Sequence, residues 1–172
     1  MSPAEFANRT PETTVGASLL VTMPTGQYNP SALINIGTNR WAIRPQFGVS
    51  HPWRGWYFEC FAGAWFFSEN DNYLNGNHLQ QAPIVSLQAH ISYTFKPRLW
   101  LAVDATGYQG GQTTVDGIPK ANQQDNSRVG MTLSLPVGRS QSIKLAYSDG
   151  AITRVGSSFR TFTIAWQFSW LD

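Results

Sequence analysis

The sequence predicts an all-β protein, an antiparallel up-and-down transmembrane β-barrel with about eight strands in its 172 residues. Three observations carry this. Apolar and polar residues alternate with a period of two in about eight stretches, as strands do when their two faces meet different surroundings. The connections alternate too, long and polar after odd-numbered strands and tight after even-numbered ones, as in outer-membrane barrels. Charged residues are 13% of the chain, about half the roughly 25% usual in soluble domains, while aromatic residues also reach 13%.

In the first strand, Thr14 to Met23, the odd positions Val15, Ala17, Leu19, Val21 and Met23 are apolar. In the second, Trp41, Ile43, Pro45, Phe47 and Val49 oppose Arg40, Arg44, Gln46, Gly48 and Ser50, with Pro45 pointing to a bulge or local irregularity. The third, Trp56 to Phe67, is apolar on both faces except for Glu59. Val85, Leu87, Ala89, Ile91, Tyr93 and Phe95 mark the fourth, and Leu99, Leu101, Val103 and Ala105 the fifth, which begins at Arg98. The sixth sets Val129, Met131, Leu133 and Leu135 against Arg128, Gly130, Thr132 and Ser134; the seventh sets Ile143, Leu145 and Tyr147 against Lys144, Ala146 and Ser148. The last carries Phe162, Ile164, Trp166, Phe168 and Trp170 opposite Gln167. Between them lie long segments at 27–39, 68–82, 109–126 and 149–157 and tight turns at 51–55, 95–98 and 136–141. An even strand count puts both termini on the short-turn side.

A soluble barrel or sandwich alternates in the same way but turns its apolar face inward. Face chemistry separates the two. A soluble barrel shows water a face rich in lysine and glutamate, whereas this polar face is mainly Gly, Ser, Thr, Ala and Gln, which suits a barrel interior. Rings at Trp41, Trp56, Phe66, Tyr93, Phe95, Trp166 and Trp170 sit where interfacial girdles form. The chain reads as one domain over 1–172, with a lead-in at 1–12 and barrel strands over 14–171. The longest apolar run, Phe61 to Phe67, is far short of the roughly 20 residues of a spanning helix, and Met-Ser-Pro-Ala-Glu-Phe does not read as a signal peptide. One cysteine, Cys60, excludes an internal disulfide; a net charge of +2 without a basic run points away from nucleic acid.

The string Val21-Thr-Met-Pro-Thr-Gly-Gln-Tyr-Asn-Pro-Ser31, followed by Leu33-Ile-Asn-Ile-Gly-Thr-Asn-Arg-Trp41, resembles the outer-membrane transporter-like family assigned to a MetA pathway of phenol degradation. The stretches Ser86 to Phe95, Trp100 to Thr106, Gly111 to Gly117 and Asn126 to Gly130 are similar to it as well. Members of that family are usually longer, so the resemblance implies a C-terminal portion, or a shortened relative, of a larger barrel. It also implies an outer-membrane location and passage of aromatic compounds.

With the apolar face against lipid, the inward polar set is Arg40, Arg44, Gln46, Glu59, Gln88, His90, Arg98, Asp104, Arg128, Lys144 and Gln167. Glu59 and Asp104 are expected to pair with the arginines, because a buried carboxylate needs a partner, and in an eight-stranded barrel such a network fills the bore. With more strands the same residues line an anion-favouring pore. Tyr57, Phe61, Trp65, Phe67, Trp100 and Tyr108 share the inward parity and either stack on an aromatic solute or pack on one another and on glycines. His90-x-Ser92 resembles the spacing in outer-membrane lipid A deacylases, but no carboxylate partner is legible, so no catalytic residue, metal or cofactor is assigned. His51 falls in a tight turn and His78 in a long loop. Asp71, Asn72, Asn75, Asn77, Asp116, Asn122 and Asp125 read as solvated turns. The expected partners are membrane lipid, a small hydrophobic or aromatic solute, and the barrel-assembly machinery through the aromatic C-terminal alternation. The functional reading is passage or binding of such solutes, with a plugged structural barrel and a soluble ligand-binding barrel as alternatives.

Overall fold

The computed structural model describes residues 10–32 and 34–168. Among them twelve strands form, in two sheets. They are β1 (Thr14–Thr22), β2 (Ala42–Trp53), β3 (Trp56–Phe67), β4 (Asn70–Tyr73), β5 (Asn77–Gln81), β6 (Ile84–Lys96), β7 (Leu99–Gly110), β8 (Thr113–Val115), β9 (Ile118–Pro119), β10 (Gln124–Pro136), β11 (Gln141–Ile152) and β12 (Thr161–Phe168). The eight long strands make one antiparallel meander in the order β1-β2-β3-β6-β7-β10-β11-β12. The long connections at 68–82 and 109–126, expected as loops, instead build a second small sheet, β4-β5-β8-β9, joined where Leu79 pairs with Val115.

The meander is open. Among the described residues β1 pairs only with β2 and β12 only with β11, so the closed eight-stranded barrel is corrected to an eight-stranded sheet with two free edges. Bulk on one face gives the physical reason. Eight strands close around an interior that side chains just fill, and this face carries Tyr57, Phe61, Trp65, Phe67, Trp100 and Tyr108, with basic side chains laid over three of them.

Burial is inverted relative to a soluble core. Large apolar side chains of the long strands are exposed, Leu87 at 58% and Val103 at 54%, whereas Ser86, Ser134 and Ser142 on the opposite face are buried. A flat single sheet exposes both faces alike; the small polar side chains are covered because the sheet curls toward them and larger neighbours lean over.

Turn chemistry sets the strand ends. Arg54 and Gly55 (φ 47° and 86°) form the two-residue turn between β2 and β3, so His51 lies on β2 and not in a turn, where its Nδ1 meets Thr13 Oγ1 at 2.8 Å. Arg98 is likewise a turn residue (φ 66°), placed by the Lys96–Leu99 pairing at the short-turn end and not on the strand face expected for it. Asp116-Gly117, with φ of 48° and 76°, closes the β8–β9 hairpin, the form that two-residue hairpins favour. At Pro45 the β2–β3 ladder is interrupted, yet Ile43–Phe66 and Gln46–Gly63 keep one register, so the irregularity is a gap and not a bulge.

On the outer face, Trp56 and Tyr93 meet at 4.8 Å and Tyr93 and Phe95 at 4.9 Å, a ring cluster at the short-turn end extended by Trp53 under Arg54. Trp166, nearer the same end, donates its indole N–H to Gln141. Trp41 and Phe66 are exposed at the long-loop end. Trp170 and the C-terminal alternation beyond Phe168, and residues 1–9 of the lead-in, lie outside the described residues.

Candidate functional site

The register aligns one polar row across the enclosed face: Ser50, Glu59, His90, Asp104, Gly130 and Ser148, each opposite the next. Residues directly opposed on one sheet face have their Cβ atoms about 4.5–5.5 Å apart, close enough to interact. His90 Nδ1 bonds the Asp104 carboxylate, and both side chains are about two-thirds covered. The Phe61 ring stands edge-on to His90 at 5.6 Å. Asp104 is thus the carboxylate that the spacing of His90 and Ser92 could not reveal, since it comes from the next strand. Ser92 borders the same pocket, but no hydrogen bond joins it to the imidazole, so a serine nucleophile lacks its base contact here.

The expected arginine–carboxylate network is not what forms. Asp104 pairs with His90, and among the described residues Glu59 has no ion pair or side-chain hydrogen bond. The cations lie on rings. Arg40 stands over Phe67 at 4.6 Å, Arg44 over Trp65 at 4.1 Å, Arg128 over Phe159 at 3.9 Å and Lys144 over Trp100 at 5.3 Å. Such contacts are worth about 0.5–2 kcal/mol, most where water is excluded. Arg40, in the connection before β2, also donates to Gln81 Oε1 on β5; burial lowers its guanidinium from the ordinary value, opposed by Tyr73. Arg128 donates to Ser148 Oγ at 3.0 Å and to the Phe159 carbonyl at 3.1 Å.

The remaining predicted residues are spread along the face. Gln46 borders a cavity between β1 and β3, Gln88 sits opposite Phe61, Tyr108 stands 6.1 Å from Trp65, and Gln167 is exposed on the β12 edge opposite Ser142. Phe61 covers Gly48: a Cβ there would meet the ring at 2.3 Å. Gly48→Ala is therefore expected to force the ring aside and cost about 1–3 kcal/mol in thermal unfolding, and Phe61→Ala in the same chain to relieve most of that overpacking.

At the long-loop end sits a hub missed by strand patterning. Asn70, 1% exposed, accepts from Asn39 Nδ2 at 2.9 Å and from the Asn72 N–H at 3.0 Å; it donates to Tyr28 Oη at 3.1 Å and to the Thr38 carbonyl at 3.2 Å. The hairpin also brings His78 between Asp71 (2.5 Å from Nδ1) and Glu69 (3.4 Å from Nε2), an exposed cluster in the small sheet and not in a loop. The loop oxygens serve turns and ladders: Asp116 accepts from the His78 N–H, and Asn122 from the Thr113 N–H.

No curated protein matches the chain. Among solved structures it is similar to the COG4313 outer membrane channel from Pseudomonas putida F1, with a TM-score of 0.77 and 21% identity over 90% of this chain. The match covers 58% of that channel's chain. At this identity the likeness shows the fold. The family whose model matches residues 3–169 is described as "Putative MetA-pathway of phenol degradation", and the chain belongs to it.

Proposed function

We propose that the chain contributes eight antiparallel strands to the wall of an outer-membrane β-barrel channel that passes or binds small solutes, aromatic ones among them. One observation carries the reading: on the six inner long strands the large side chains left exposed are the apolar ones, while the serines, glutamines and charges of the opposite face are the more covered ones. That arrangement suits acyl chains outside and water or solute inside, and it is the reverse of a soluble barrel. Lipid tolerates no unpaired strand edge, so β1 and β12 are joined in the membrane to further strands or, once the bulky enclosed face repacks, to each other. The rings and cations of the enclosed face then line the lumen. Because Arg44 and Lys144 are held on rings and not drawn across to carboxylates, the wall is lined without being bridged. The fold likeness to a channel and the family description support this reading; the aromatic solute is suggested by the rings and by the family's description.

The test is reconstitution. The full chain, folded in detergent, is expected to show heat-modifiable gel mobility and, in planar bilayers, stepwise conductance that aromatic solutes reduce. A folded, heat-modifiable chain with a silent bilayer would instead support a plugged structural barrel. A chain that is folded and monodisperse without detergent would overturn the membrane reading altogether.

A further inference from the structure

Along the enclosed face of β3 the residues run Tyr57, Glu59, Phe61, Gly63, Trp65 and Phe67, one every two positions and so about 6–7 Å apart. A single carboxylate interrupts a ladder of rings. Elsewhere on this wall the rule is a cation laid on a ring, as for Arg44 on Trp65 and Lys144 on Trp100. At Glu59 the ring-and-charge pairing appears with the sign reversed: the fixed charge is the anion, a ring stands on either side, and no cationic side chain among the described residues reaches it. Two cavities of about 360 Å³ each meet at this residue. One runs toward Gly48 and Phe61; the other contains Tyr57, His90 and Asp104.

We infer that Glu59, flanked by Tyr57 and Phe61 and backed by the His90–Asp104 pair, is a binding station for a small organic ammonium, a protonated or quaternary amine carrying apolar substituents. The inference rests on the lumen reading above and names a solute class for it. A half-buried carboxylate without a counter-charge is costly, and an incoming cation removes that cost. Rings on both sides attract the same cation through their negative faces and shed water from its alkyl or aryl groups. Asp104 adds a second negative charge two strands away, which His90 offsets only when protonated. The basic side chains of the wall are engaged on rings: Arg44 at Trp65, about 20 Å farther along the sheet, Arg128 on Phe159, and Lys144 on Trp100, a ring that lines one of the two cavities at Glu59. An anion at Glu59 meets the repulsion of a carboxylate that no cationic side chain pairs with among the described residues. The site thus qualifies, at mid-wall, the anion preference that the surplus of basic residues suggests.

The experiment uses the full chain in detergent and three probes of nearly equal size: phenethylammonium, 2-phenylethanol and phenylacetate, titrated calorimetrically at matched ionic strength. Phenethylammonium is expected to bind saturably, 2-phenylethanol at least tenfold more weakly, and phenylacetate without saturation. Glu59→Gln should abolish the difference between the cation and the alcohol, while Glu59→Asp keeps part of it. Equal binding of all three probes, preference for phenylacetate, or an unchanged preference in a folded Glu59→Gln chain would overturn the station. A Ser92→Cys substitution in a Cys60→Ser background, read in liposomes with a charged thiol reagent, tells the two failures apart. Reaction of the introduced thiol without selective binding removes the station alone, and an unreactive thiol removes the lumen reading with it.

Discussion

Val103→Arg is expected to abolish the folded, heat-modifiable form of the protein, or to lower its stability in bilayers by about 2–4 kcal/mol, the cost of an arginine near the midplane of a barrel's lipid face. Val103 lies mid-strand on β7, between Ile91 and Met131 in the register, and is 54% exposed on the apolar face. Its two cross-strand neighbours, Ile91 and Met131, offer a guanidinium no acceptor. Gln88→Arg provides the contrast: it places the same charge on the opposite face, in the row of Phe61 and Thr106, and should fold with little loss. A soluble sheet predicts the reverse ranking, because there a surface Val103→Arg costs next to nothing. Urea unfolding in liposomes, followed by gel mobility, measures both.

The second large effect lies at the long-loop end. Asn70→Leu removes four hydrogen bonds from a fully buried side chain and orphans their partners, a loss of about 3 kcal/mol or more, since each buried polar group left unpaired costs about 1–3 kcal/mol. The eight-stranded sheet does not depend on these bonds, so its strand content should persist by circular dichroism. What should change is the connection over 23–41, held to the hairpin by Asn39 and Tyr28, which becomes open to proteolysis. Tyr28→Phe, which deletes one hydroxyl, should cost about 1 kcal/mol and expose the segment only partly. Resistance of the Asn70→Leu chain to proteolysis equal to that of the wild type would mean that the connection is held by other contacts.

Where the eight long strands lie was legible because each carries its own period-two pattern, a local property. Which side faces out could be read from the pairing of leucines and valines on one parity with serines, threonines and glutamines on the other. What depended on register could not be read. The Arg44–Trp65 and His90–Asp104 contacts join residues on different strands, and nothing local distinguishes a guanidinium bound for a ring from one bound for Glu59. The small sheet was hidden for a similar reason: Asn70–Tyr73 and Thr113–Val115 are too short and polar to alternate, and the two short hairpins they belong to become one sheet only because Leu79 finds Val115 across two intervening long strands. Closure was read from the alternation of long and tight connections, which fixes an up-and-down meander without joining its edges.

Orientation is the claim on which the rest depends, and a cysteine scan along β6 from Val85 to Ser92, in a Cys60→Ser background with a nitroxide at each position, tests it directly in liposomes. Oxygen, which concentrates in the bilayer, should relax the labels at 85, 87, 89 and 91, and a water-soluble nickel chelate those at 86, 88, 90 and 92. Inverted parity, or equal access of the chelate to both sets, would contradict the account.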